Sequence, residues 1–152
     1  TQMGTKYKFL NPSGIYFISF AVVDWIDVFT RNKYKDIIVE SLRYCFEKKG
    51  MVLFAWCIMT SHVHLIFGVK GNIKHSDLIR DFKKFTSKAI INAIIHNTQE
   101  SRKEWMLEKF VKARTNKTNI SGYQFWQHDN LPIEVFTPTV IAQKLYETEL
   151  TN

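Results

Sequence analysis

The 152 residues predict an α+β fold built on one antiparallel sheet, and three observations carry that prediction. Apolar runs of strand length alternate with longer segments whose apolar residues recur at helical spacing. Their order is strand, helix, strand, strand, helix, strand. Two of the strand runs are separated only by Thr60-Ser61, the tight turn of an antiparallel hairpin.

The first run, Ile15 to Val23, follows Pro12-Ser13-Gly14 and is apolar on both alternating faces, as a central strand should be. From Lys33 to Lys49 the residues Ile37, Ile38, Leu42, Cys45 and Phe46 recur at helical spacing, and Gly50 supplies the residue a helix prefers just past its end. Met51 to Met59 and His62 to Val69 form the hairpin. A second helix is expected from Ser76, a good N-cap. Its buried stripe would be Leu78, Ile79, Phe82, Phe85, Ala89, Ile90, Ala93 and Ile94, with Arg80, Lys83, Lys84 and Lys88 largely on the other side. Trp105, Met106 and Phe110 suggest a further short helix, and Arg114 to Ser121 reads as a polar loop. Pro132 to Phe136 suits a short fourth strand, its proline limiting it to a sheet edge or to a strand start. Thr137-Pro138 then opens a C-terminal helix. This is the split β-α-β, or ferredoxin-like, arrangement in a single domain over residues 1–152, with helices packed on the sheet. Such a fold hosts many activities, so function has to be read from a site.

The composition is 45% hydrophobic and 23% charged, that of an ordinary globular domain. No run approaches about 18 consecutive apolar residues, so no membrane span is expected, and the first residues carry no apolar stretch of secretion-signal length. Cys45 and Cys57 each sit in an apolar run and read as buried thiols, which points to a reducing, cytoplasmic compartment. A formal charge of +7 favours a polyanionic partner through phosphate neutralisation.

Alternation along the hairpin's return strand puts His62 and His64 on one face, with Val63 and Leu65 on the other. Two imidazoles in that relation can converge on one metal ion. The alternative is a pair of half-exposed strand histidines. The strongly apolar flanks disfavour it, because unpartnered imidazoles there would be costly.

The stretch Ala55-Trp56-Cys57-Ile58-Met59-Thr60-Ser61-His62-Val63-His64-Leu65-Ile66 resembles the histidine–hydrophobe–histidine strand of REP-associated tyrosine transposases, relatives of the insertion-sequence transposases that act on single-stranded DNA. The likeness extends to Tyr16-Phe17-Ile18-Ser19-Phe20, to Trp25 through Arg31, to Asp81 through Lys88, to Ser101 through Trp105, and to Phe125 through Asn130. It runs from about Lys6 to Leu145. The resemblance implies single-stranded or hairpin DNA as partner, with Mg²⁺ or Mn²⁺ held by His62 and His64 to polarise the scissile phosphate. It also implies a tyrosine on the last helix that becomes covalently joined to the 5′ side of the break. That is nucleophilic catalysis by a phenol with a metal as Lewis acid. Imidazoles alone would suit Zn²⁺ or Ni²⁺ equally, so the metal's identity rests on the resemblance.

The family's tyrosine sits in a motif of Tyr, Ile, His, any residue, Asn, Pro. Here the matching position is Glu147, and Tyr146 lies one residue earlier, about 100° round a helix. Two expectations follow. Tyr146 is the nucleophile, with Glu149 or Gln143 as third ligand; or the chain is a truncated copy that binds DNA with little or no cleavage.

Arg80, Lys83, Lys84 and Lys88 are candidate phosphate contacts. Trp126, with Trp25 and Tyr123, is a candidate platform for unpaired bases, although aromatic core residues are the commoner outcome. His75, His96 and His128 read as surface or loop residues, His128 with a place beside the site as its second reading. Two other classes remain open: a non-catalytic nucleic-acid-binding module on the same kind of sheet, and a metal-dependent hydrolase of small substrates. The oligomeric state is expected to be monomer or homodimer.

Overall fold

The computed structural model describes residues 8–114, 122–128 and 130–136. Strand β1 spans Ile15–Ala21 and is followed by two single 3-10 turns, Val23–Trp25 and Val28–Thr30. Helix α1 is Asn32–Lys48, and strands β2 (Met51–Ile58) and β3 (His62–Val69) form the hairpin. Helices α2 (His75–His96) and α3 (Lys103–Arg114) precede the short strand β4, Ile133–Val135. The four strands form one antiparallel sheet in the order β2-β3-β1-β4, the split β-α-β topology expected from the sequence. β4 is an edge strand, and Pro132 stands immediately before its first residue, so both positions open to that proline are met. The expected C-terminal helix lies outside the described residues.

The strands obey the period-2 rule on which the site depends. Tyr16, Ile18 and Phe20 of β1, with Val63, Leu65 and Phe67 of β3, are buried on one face and join a core with Ile38, Leu42, Ile79, Phe82 and Ile90 from α1 and α2. The opposite face carries Phe17, Ser19, His62 and His64, all partly buried. Gly50 terminates α1 with φ of +79°; a Cβ there would also meet Ile73 Cγ1 at 2.8 Å.

Three assignments within the fold change. Phe85 is 62% exposed rather than part of the stripe of α2. The stripe is centred on Ile79, Thr86 and Ile90, and Phe85 falls about 100° round from Thr86. Thr86 occupies the central position because its hydroxyl back-bonds to the Phe82 carbonyl at 2.7 Å, which removes the usual cost of burying it. His75 is buried at the start of α2, not on the surface: its Nε2 lies 2.9 Å from the Gly14 carbonyl and its ring stacks on Phe9. Cys57 is only partly buried, whereas Cys45 is buried and its thiol is pushed up to about 11, by burial above all.

An ionic clasp around the buried Glu100 carboxylate fixes the segment after α2 to the start of α1. The Glu100 carboxylate accepts from Arg31 Nε at 3.1 Å, from the Tyr34 hydroxyl at 2.9 Å and from the Arg102 backbone N–H at 3.2 Å. Burial alone would raise this carboxyl, but the hydrogen bonds from Arg31 and Tyr34 outweigh it and hold it below the usual range. No helix among the described residues is long and apolar enough to cross a membrane.

Candidate metal centre and nucleic-acid interface

The hairpin turn sets the position of the histidine pair. Met59 N–H donates to the His62 carbonyl at 2.8 Å and Phe29 N–H to the Thr60 carbonyl at 2.9 Å, so β3 begins in a fixed place beside the end of β1. Sheet register then places Ala21 opposite His62, and Ser19 and Cys57 on either side of His64. The two imidazole centroids are 4.7 Å apart with their planes at 85°, on one face as alternation predicts. Aromatic rings continue the row in both directions. Phe17 stacks on His64 at 5.5 Å, and the Trp25 ring meets His62 edge to face at 5.3 Å.

The two histidines differ in their surroundings. The Ser61 hydroxyl lies 3.1 Å from His62 Nδ1. Both ring nitrogens of His64 are buried and have no hydrogen-bond partner among the described residues. Burial, and secondarily the neighbouring His62, pulls the His64 imidazole down to about 4, and burial lowers His62 as well. Both rings are therefore neutral near pH 7, the state in which imidazole donates a lone pair to a metal. Among the described residues no cluster of three or more His, Cys, Asp or Glu is placed to hold a metal ion. Tyr146, Gln143 and Glu149 lie outside the described residues.

The basic candidates separate. Lys84 and Lys88 are exposed on α2 and line a groove of about 510 Å³ together with Arg114, Tyr123 and His128. Lys83 lines the same groove but is buried where Lys84 and Lys88 are exposed. It lies within the buried arc of α2, its amine donating to the Asn130 side-chain oxygen and, at 3.2 Å, to the Gln127 carbonyl. Arg80 is exposed but tied to Asp77 at 3.1 Å and Asp81 at 3.2 Å, which offsets its charge. Trp126 is 4% exposed, pairs with Val22 in an isolated bridge, and donates from Nε1 to Thr86 Oγ1 at 3.0 Å. It lies at the floor of the groove, and so deeply buried it anchors the segment 122–128 to α2 and offers little surface for stacking a base. His96 and His128 are exposed, as expected.

Sequence reasoning missed Arg114 as a groove residue and Phe17 as the ring behind His64. Phe17 was findable, since alternation along β1 puts it on the outer face opposite Ile18. Arg114 was not, because nothing local shows that α3 ends at the groove.

An antiparallel α+β sheet with a strand-borne histidine pair, and a basic groove along α2, defines the class. The chain belongs to the family described as transposase, IS200-like, whose sequence pattern matches residues 20–124. Its fold is similar to that of a REP-associated tyrosine transposase solved bound to a REP hairpin, with 14% identity, a TM-score of 0.55, and coverage of 93% of this chain and 68% of that one. It is also similar to a Deinococcus radiodurans R1 protein assigned as a transposase, with 17% identity, a TM-score of 0.53, and coverage of 98% and 95%. At such identities the likeness is one of fold. No curated protein sequence matches the chain. Family membership associates the chain with DNA transposition.

Proposed function

We propose that this transposase binds single-stranded or hairpin DNA, holds a divalent cation between His62 and His64, and breaks one strand through a 5′-phosphotyrosine intermediate. The observation that carries the reading is His64: two buried ring nitrogens without a partner among the described residues, facing a second neutral imidazole. Burying a polar ring unsatisfied is costly unless something completes its bonding, and a cation shared with His62 does so. Ser61 on Nδ1 of His62 would leave Nε2 of that ring as the donor. Two imidazoles form an incomplete set, so a third donor from Glu149 or Gln143 is part of the proposal. Mg²⁺ or Mn²⁺, the ions the resemblance implies, would supply Lewis-acid polarisation of the scissile phosphate.

The remaining chemistry belongs to the chain. Lys84, Lys88 and Arg114 neutralise backbone phosphates along the groove, and Arg80 contributes what its carboxylate partners leave. The Tyr146 phenol oxygen attacks phosphorus and the bond to the 3′-oxygen breaks. The phenol loses its proton, the departing oxygen gains one, and the 5′ phosphate stays on the tyrosine. A second reading, DNA binding without cleavage, is favoured by the position of Tyr146 one residue before the place the family's tyrosine occupies. Orientation errors of that size are large for an in-line displacement.

The test is incubation with Mn²⁺ and hairpin DNA labelled on the 3′ side of the break, followed by denaturing electrophoresis. A protein–DNA band lost in both Tyr146→Phe and His64→Ala supports cleavage. Retained DNA binding with no band supports the second reading, and absence of DNA binding overturns both.

A further inference from the structure

We propose that Trp25 is a nucleobase platform at the mouth of the histidine site, stacking an unpaired base next to the phosphate held there; the inference rests on the reading of His62 and His64 given above. Trp25 is 58% exposed although it lies just beyond the buried pair Val22 and Val23. Its ring touches the candidate metal centre, meeting His62 at 5.3 Å with planes at 80°, and still leaves most of its surface to solvent. It is the outermost ring of the row Phe17, His64, His62, Trp25.

The backbone supplies the independent observation. Asp24 and Trp25 take φ of +57° and +53°, two consecutive left-handed non-glycine residues, and no other described residue except glycines has a positive φ. Bulky side chains rarely adopt this conformation, and glycine would relieve it. A tryptophan there works against the backbone, and because the ring is largely exposed, core packing does not explain it. Strain of this kind collects where a side chain has to be aimed. The surroundings hold the aim. Trp25 N–H donates to the Val22 carbonyl at 2.9 Å, Val23 N–H to the Phe125 carbonyl at 2.9 Å, and Asp27 is clamped by Arg102. Trp56 and Trp105, about half exposed, sit on a regular strand and helix with ordinary backbones. Indole offers a base a flat face that needs no sequence match, the recognition expected of a protein that takes up unpaired DNA.

The test uses an oligothymidine strand of about twenty nucleotides, longer than the site of a single-strand-binding domain, carrying single 2-aminopurines at successive positions, with Mn²⁺ present. Affinity is read by anisotropy and stacking by 2-aminopurine fluorescence. The parent is expected to quench the probe at one or two positions. Trp25→Leu should lose that quenching and bind roughly tenfold more weakly, as for loss of one stacked base, while Trp25→Phe retains part of both. Trp25→Gly should melt no lower than the parent yet fail to quench, which a merely structural tryptophan would not do. If Trp25→Leu and Trp25→Gly keep the parent's quenching and affinity, the platform is refuted while the DNA-binding reading stands. A parent that binds no oligonucleotide overturns both.

Discussion

Replacing His64 by Leu tests the state of the buried imidazole directly, because the two proteins should respond differently to acid. His64 is held at about 4 in the folded chain against 6.5 in the unfolded one. Protonation therefore favours unfolding. Its contribution is intact above pH 6.5 and declines as pH falls towards about 4, below which both states are protonated and the effect is flat. The shift sets a ceiling of about 3 kcal/mol at about 1.36 kcal/mol per unit. Partial solvent contact on the outer sheet face reduces this to roughly 1–2 kcal/mol. Urea unfolding in EDTA at about pH 7 and about pH 4.5, on either side of most of that titration, measures it. The parent should lose about 1–2 kcal/mol more than His64→Leu over that interval. Carboxylates such as Glu100, which titrate in both proteins, cancel in the difference. Equal losses in the two proteins would show that the imidazole is hydrated or hydrogen-bonded, and would remove the argument that it awaits a ligand.

Three further outcomes follow from the same structure. Lys84→Glu with Lys88→Glu should weaken DNA binding and flatten its salt dependence by about one to two units of slope, measured by anisotropy across a salt series; Lys83→Met should instead lower the melting temperature, because it removes the buried amine that Asn130 accepts from. Glu100→Gln should cost about 1–3 kcal/mol in urea unfolding by weakening charged hydrogen bonds to Arg31 and Tyr34, and an unchanged midpoint would mean that the clasp contributes nothing net.

Strand alternation and hairpin spacing made most of the sheet legible, because both depend on local periodicity. The His62–His64 face followed from a period of two, and a single proline limited β4 to an edge or to a start just after it. What stayed hidden depends on contacts between distant segments. Lys83 looks like its neighbours Lys84 and Lys88 in sequence, but its burial is decided by Asn130, 47 residues away. Trp126 has the composition of a stacking residue, and only its bond to Thr86 across 40 residues shows it to be an anchor. His75 is buried by Gly14, Phe9 and Tyr16, none of them near it in sequence. The left-handed backbone at Trp25 leaves no compositional trace, since a tryptophan does not signal such a turn as glycine does.

The central claim is that the two imidazoles of β3 jointly hold a divalent ion. Isothermal titration of Mn²⁺ into the parent and into the His62→Ala, His64→Ala double variant tests it most directly, at a pH of about 7.5 where both imidazoles are neutral. A melting curve of each shows that both are folded. The account predicts saturable binding of a single ion per chain in the parent and none in the variant, at nearly equal melting temperatures without metal. A folded double variant that binds Mn²⁺ as the parent does would contradict it.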